Sequence, residues 1–183
     1  SVAAYGSYLY KEREIFTSEY LEHVIDQMCE LYSKKKIPFV ADVQKNVILF
    51  YDGFGMDMRG LAIIYLKALA ELGYKIIYVT NARAKGKQPM LFSVLQPYEV
   101  DVRYFTYAKG YSDQLDFLLD IFEKERPFCS FIYTRPEDVA AVMAFKLCDF
   151  SKRYLINLTD DVFWLGTTCF DYCIEFHSYG FDL

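Results

Sequence analysis

Residues 47–61 read VILFYDGFGMDMRGL, and this stretch decides the fold. The run from Val47 to Tyr51 is continuously apolar, which is typical of a strand buried on both faces of a parallel sheet. The two glycines that follow predict a tight turn, and Gly73 stands where a helix would end in a glycine cap. Between them a helix is predicted to bury one face, made of Leu61, Ile64, Tyr65, Ala68, Leu69 and Leu72.

The same cycle of strand and helix repeats along the chain. Strands are predicted at residues 46–51, 75–80, 100–105, 129–133, 153–158 and 172–176. Helices are predicted near 90–95, around Leu115 to Phe122, and from Pro136 with Glu137 and Asp138 in the first turn. The alternation in residues 100–105 suits a sheet edge. We therefore predict an α/β fold with a doubly wound, mostly parallel, six-stranded Rossmann-like sheet.

No linker rich in proline, glycine or serine divides the chain. Residues 18–36 carry apolar side chains at helical spacing and end in three lysines, which favours a helix before the first strand. We predict one Rossmann-like domain, residues 45–183, preceded by an N-terminal helical extension, residues 1–44.

Composition excludes several classes of protein. The 183 residues include 25 acidic and 20 basic side chains, and the net charge of -5 argues against a general nucleic-acid binder. No apolar run approaches the ~20 residues of a membrane-spanning helix, and no signal peptide is evident. We expect a cytoplasmic protein. Cys169, Cys173 and His177 recur every fourth residue and would share one face of a helix. Tyr172, Ile174 and Phe176 favour a strand instead, along which side chains four residues apart lie ~13 Å from each other, so no metal is expected.

In such a sheet, ligands bind beyond the carboxyl ends of the strands, between the loops after strands one and four. Glycines in the first loop let the backbone approach an anion and direct N–H groups at it. The candidate residues of these two loops are Gly53, Phe54, Gly55, Asp57, Arg59 and Arg135. Met58 breaks the dinucleotide fingerprint, and Leu61 and Ala62 break the P-loop pattern, so no cofactor is expected. Alternatively, the glycines only permit a tight turn.

A second candidate stretch, residues 157–166, reads NLTDDVFWLG. It places Asp160, Asp161 and the only tryptophan, Trp164, after the fifth strand. An indole ring and a carboxylate are a plausible pair for contacting a sugar, since the ring stacks on C–H groups and the carboxylate accepts hydroxyl protons. Alternatively, Asp160 caps a helical turn and Trp164 packs in the core.

These motifs resemble those of one family. Residues 47–61, 65–69 and 73–80 resemble the N-terminal domain of bacterial glycosyltransferases with the GT-B fold, and residues 157–166 look like the DHxFWLG segment of related enzymes. The resemblance covers about residues 45–180. Where those enzymes carry histidine, this chain has Asp161. We take Asp161 as the candidate residue that removes the proton from the hydroxyl group of the acceptor substrate.

The resemblance implies transfer of a sugar from a nucleotide-sugar donor to a glycan or other acceptor, across a cleft between two domains. The N-terminal domain would bind the acceptor, and its glycine loop would approach the donor phosphates. The C-terminal donor domain is expected to be missing from this chain, which alone should not turn over. Polysaccharide synthesis at the inner face of the membrane is also implied.

Two alternatives remain open at this stage. A stand-alone small-ligand binding or regulatory domain of the same fold would use the glycine loop without a second domain. The 17 Tyr and 16 Phe residues are more than a domain of this size easily buries, which predicts an exposed aromatic surface and a possible homodimer.

Overall fold

Six strands form one sheet in the computed structural model, which describes residues 2–13, 16–32, 42–57, 61–106, 110–135, 138–157 and 163–174. The strands are β1 (Gln44–Asp52), β2 (Lys75–Asn81), β3 (Val100–Phe105), β4 (Pro127–Tyr133), β5 (Lys152–Ile156) and β6 (Tyr172–Ile174). Their order is β3-β2-β1-β4-β5-β6, and every neighbouring pair is parallel. The predicted α/β, doubly wound, Rossmann-like fold is confirmed, and β3 lies at an edge as predicted.

Six α-helices accompany the sheet in the described part of the chain. They are α1 (Val2–Arg13), α2 (Glu19–Leu31), α3 (Ala62–Glu71), α4 (Pro89–Leu95), α5 (Tyr111–Glu125) and α6 (Val139–Leu147). Helices α3 and α4 share a core with one face of the central strand β1, through Ile48 and Phe50. Helices α5 and α6 share the other core with Val47, Leu49 and Tyr51. This division of the strand residues explains why β1 is apolar throughout.

The buried face of α3 differs from the predicted one. Its fully buried residues are Ala62, Leu66 and Ala70, whereas Ile64 and Leu72 are 63% and 72% exposed. The hydrophobic stripe is therefore a poor guide here, because the helix is apolar around most of its circumference.

Helix α6 begins three residues later than predicted. Asp138 lies before the helix, and its carboxylate accepts a hydrogen bond from the amide of Ala141 at 3.3 Å. It is thus the N-cap, not a residue of the first turn. Pro136 and Glu137 lie outside the described residues, as do residues 33–36 of the predicted N-terminal helix and residues 175 and 176 of the sixth strand.

The N-terminal helices share the core of the domain. Leu9 of α1 and Leu21, Ile25 and Cys29 of α2 are buried in the same cluster as the apolar residues of α5 and α6. Their packing against that layer means that α1 and α2 contribute to the core of the sheet domain. No helix in the described ranges has the length and apolar character needed to cross a membrane.

Candidate functional site

The strand order reverses between β1 and β4, and the candidate site lies at the carboxyl ends of these strands. Asp52, the last residue of β1, pairs with Tyr133, the last residue of β4. The amide of Gly53 continues the pairing by donating to the carbonyl oxygen of Tyr133 at 2.9 Å. The two loops singled out from the sequence therefore start side by side, where ligands of doubly wound sheets bind.

Gly53 is a glycine because Thr134 lies against it. A Cβ atom at position 53 would stand 1.8 Å from Thr134 Oγ1 and 2.7 Å from its Cβ. The Thr134 hydroxyl donates to Asp138 Oδ2 at 2.9 Å, so it is fixed from the other side. The atoms that Gly53 approaches closely therefore belong to Thr134 of the same chain.

The Asp52 carboxylate organises the glycine loop. Its Oδ1 accepts the amides of Phe54 at 3.0 Å and Gly55 at 2.9 Å, and its Oδ2 accepts the hydroxyl of Tyr78 at 2.7 Å. In this structure the amides of Gly53, Phe54 and Gly55 donate within the chain, and their expected role in binding an anion stays a prediction. Asp52 accepts two of the amides, those of Phe54 and Gly55, and the sequence did not indicate this role.

Burial makes the Asp52 carboxyl harder to ionise. The residue has no exposed surface, and desolvation raises the pKa of its carboxyl to about 6, although the hydrogen bonds from Tyr78, Gly55 and Phe54 favour the charged form. Gln88 extends the network, because its Nε2 donates to the hydroxyl of Tyr78 at 2.8 Å and to the carbonyl oxygen of Met56 at 3.3 Å. Asp52 thus holds the amides of Phe54 and Gly55, and Gln88 holds the carbonyl of Met56, the next residue of the loop.

Asp57 caps a helix in this structure. Its Oδ1 accepts the amide of Leu91 at 2.8 Å and its Oδ2 that of Met90 at 3.3 Å, both in the first turn of α4. Its predicted place among the substrate-binding residues stays a prediction. A partner 34 residues away leaves no signal in the local sequence.

The remaining residues of the loop pack against the domain. The Phe54 ring lies 4.8 Å from the ring of Tyr133. Gly55 has a φ of +64°, which favours glycine, and a Cβ there would stand 2.7 Å from that of Ala84. Arg59 lies outside the described residues, so its predicted role stays a prediction.

A second buried carboxylate lies on the other face of the sheet. Asp138 accepts hydrogen bonds from Tyr51 at 2.7 Å, Thr134 at 2.9 Å and Gln114 at 3.1 Å, besides the helix amide that it caps. Burial raises the pKa of this carboxyl, and these donors offset part of the effect. From the sequence, Tyr51 reads as a core residue and Gln114 as a polar helix position. Only Asp138 gave a signal in the sequence, that of an acidic residue in the first turn of a helix.

The structure brings two predicted residues, Arg135 and Trp164, together. They lie around one cavity of about 20 Å³ at the carboxyl ends of β4 and β5, enough for a water-sized group. Its lining consists of Ile132, Thr134, Arg135, Val142, Leu155, Ile156, Asn157, Trp164, Leu165 and Phe170. We call this the rim cavity. Arg135 is exposed and Trp164 is half-buried.

Asp160 and Asp161 fall in the gap between Asn157 and Phe163 and lie outside the described residues. Their predicted roles stay predictions. Within the described ranges, no group of three or more histidine, cysteine, aspartate or glutamate side chains is arranged to hold a metal ion.

Comparisons with known proteins add little to this geometry. No family model matches the chain, and no curated protein matches it. Among solved structures, the yeast protein YNL200c is similar at 13% identity with a TM-score of 0.36, over 84% of this chain and 67% of that one. A similarity of this strength carries no argument about activity. The fold class rests on the strand order, and the function on the site.

Proposed function

We propose that this chain is the acceptor-binding domain of a glycosyltransferase of the GT-B kind, which transfers a sugar from a nucleotide-sugar donor to a glycan or other acceptor. One observation carries the proposal. Arg135, Asn157 and Trp164, whose side chains carry a guanidinium, a carboxamide and an indole, are among the residues that line one cavity at the carboxyl edge of the sheet. Ligands of doubly wound sheets bind at this edge.

The side chains of Trp164 and Arg135 suit a sugar. The indole of Trp164, which is half-buried, offers an apolar ring face for the C–H groups of a pyranose. The exposed guanidinium of Arg135 is a fork of N–H donors for hydroxyl or carboxylate oxygens. Because the rim cavity itself holds only a water-sized group, the sugar would lie across its mouth.

The proposal names fewer residues for binding the nucleotide-sugar donor than for binding the acceptor. The amides of residues 53–55 donate within the chain, so a donor phosphate near this loop would be held by side chains, of which Arg59 is the candidate. Asp161 is the candidate for accepting the proton of the acceptor hydroxyl, and Asp160 for a hydrogen bond to the sugar. The chain by itself is expected to bind an acceptor and to give no turnover.

Sugar binding tests the proposal directly. We expect methyl glycosides of glucose, galactose, mannose and N-acetylglucosamine, screened by saturation-transfer NMR, to include at least one that binds and changes the fluorescence of Trp164, the only tryptophan. Trp164→Leu and Arg135→Ala should each weaken this binding by about tenfold, since each removes a contact worth ~1.4 kcal/mol.

Tyr20→Ala is the matched control, because Tyr20 is an aromatic residue of α2 that is 67% exposed outside the rim cavity. Its binding should equal that of the unaltered chain. Absence of binding for all the glycosides and for short oligosaccharides of the same sugars would refute the proposal. Equal loss in all three variants would place the sugar elsewhere.

A small-ligand binding domain is the second candidate function, and one observation favours it. An apolar cavity of about 290 Å³ lies between α1, α2 and the first turns of α5 and α6, with Met28, Leu115 and Met143 in its wall. Cavities near this size and character take small apolar ligands. Saturable binding of an anilinonaphthalene dye that Ser112→Leu abolishes, without sugar binding, would favour this function over the first.

A further inference from the structure

We propose that Glu22 of α2 is a positioning residue for Trp164, so that the N-terminal helices form part of the sugar site. The inference rests on the proposed function for what the site binds, but not for the geometry of the contact. From their sequence, residues 1–44 are predicted to be an extension that precedes the Rossmann-like domain. The contacts of Glu22 connect that extension to the segment that carries the tryptophan.

The Glu22 side chain is buried, at 4% exposure, and faces the backbone of this segment. Its Oε1 accepts the amide of Gly166 at 2.7 Å, and its Oε2 accepts the hydroxyl of Thr168 at 3.4 Å. A bond of a carboxylate to a backbone amide is charge-assisted and stronger than a neutral one. The contact joins residues 144 positions apart and fixes the backbone two residues after Trp164.

The backbone on the other side of Trp164 is held by the same helices. The amide of Trp164 donates to the carbonyl oxygen of Phe16, just before α2, at 2.9 Å. The ring of Phe163 packs against Gly6 of α1 so closely that a Cβ there would stand 2.3 Å from it. Phe163 and Leu165 are both buried, and the half-buried Trp164 between them lies at the rim cavity together with Leu165.

Two further features show why the turn at Gly166 depends on the carboxylate of Glu22. Gly166 has a φ of +95°, and a Cβ there would stand 2.6 Å from the ring of Phe170, so the turn depends on this backbone conformation. Lys146 of α6 forms an ion pair with Asp26 of α2 and donates to the hydroxyl of Thr168 at 2.8 Å. Helices α2 and α6 therefore hold the segment jointly, and the carboxylate of Glu22 is the acceptor that reaches the turn.

The single tryptophan makes the positioning measurable without any ligand. In Glu22→Ala we expect the emission of Trp164 to shift to the red and its quenching by acrylamide to increase, because the amide of Gly166 loses its acceptor. Glu22→Gln keeps an acceptor oxygen and should restore both signals. Glu30→Ala removes an exposed carboxylate of the same helix and is the matched control.

Sugar affinity is the second measurement, made with the methyl glycosides named above. Glu22→Ala should weaken binding about tenfold and Glu22→Gln less than about threefold, since a displaced contact group loses roughly the affinity that one good contact supplies. If the unaltered chain binds no sugar while the fluorescence changes occur, the proposed function fails and the positioning stands. Sugar binding with unchanged fluorescence and affinity in Glu22→Ala overturns the positioning alone.

Hydrogen exchange in the unaltered chain keeps the inference testable even where Glu22→Ala does not fold. The amide of Gly166 should be protected from exchange, as expected for a buried carboxylate–amide bond. Exchange of this amide at the rate of a solvent-exposed one would overturn the inference without any variant.

Discussion

The buried carboxyl of Asp52 should make the protein less stable as the pH rises. The residue has no exposed surface, and burial raises the pKa of the carboxyl from 3.8 to about 6 in spite of three hydrogen bonds. Because the pKa is higher in the folded state, ionisation favours the unfolded chain. The contribution to stability is fully present below about pH 3.8 and is lost as the pH rises through about 6.

The size of this effect follows from the difference in pKa. About two pH units correspond to ~3 kcal/mol in total, of which ~2 kcal/mol falls between about pH 4.5 and pH 7.5. Asp138, whose pKa is also raised by burial, contributes in the same direction. Asp171, whose pKa is lowered by its bonds to Arg153, contributes in the opposite direction, because its stabilisation is lost as the pH falls. The part that belongs to Asp52 must therefore be measured as a difference between two chains.

The assay is urea unfolding of the unaltered chain and of Asp52→Asn at about pH 4.5, 5.5, 6.5 and 7.5, followed by circular dichroism and tryptophan fluorescence. Asparagine keeps an oxygen for the amides of Phe54 and Gly55 and does not ionise. The free energy of unfolding of the unaltered chain should fall by ~2 kcal/mol more than that of the variant over this range.

An exposed carboxylate provides the control. Asp113→Asn changes a solvated side chain in the first turn of α5 and should leave the dependence on pH as it is. If the unaltered chain and Asp52→Asn depend on pH in parallel to within ~0.5 kcal/mol, the reasoning about burial is refuted. A steeper fall in the variant would show that the hydrogen bonds outweigh desolvation.

Three further predictions concern stability and are checked by the same urea unfolding. Gly53→Ala should lower the free energy of unfolding by ~2–4 kcal/mol, because the added Cβ clashes with Thr134. Thr134→Gly in the same chain should recover part of that loss. Strict additivity of the two changes would contradict the close approach. Tyr51→Phe should cost ~1–3 kcal/mol, because a buried carboxylate loses a donor at 2.7 Å; an unchanged midpoint would mean that water or another donor replaces the hydroxyl. Gly166→Ala should cost more than Gly73→Ala, since both glycines have positive φ but only the first has a ring within 2.6 Å of the added Cβ; equal costs would show that the backbone conformation alone matters.

Much of the fold could be predicted because its signals are local. The continuous apolar run of β1 and the alternation in β3 predict a central and an edge strand, and the structure has them in those places. Where prediction failed, the local pattern was ambiguous. Helix α3 is apolar around most of its circumference, so its sequence does not say which face the sheet will cover.

The sequence indicated candidate site residues but not their contacts. The rule that ligands bind at the carboxyl ends of strands, where the winding reverses, points to the loops after β1 and β4. The cavity that Arg135 and Trp164 line lies beside this point, at the carboxyl ends of β4 and β5, and the role of these residues in binding stays a prediction. The partners of Asp57 and Gly53 could not be read in this way. Each is set by a neighbour that the fold brings close from a distant part of the chain.

The succession of strands and helices can therefore be predicted from the sequence, since periodicity and glycine turns act over a few residues. The contacts of Asp52 with the glycine loop and of Glu22 with the turn at Gly166 arise only in the folded chain. The physical reason is that a buried carboxylate takes whichever N–H or O–H donors the packed chain brings within hydrogen-bonding distance. That distance depends on how the layers pack, which no short stretch of residues specifies.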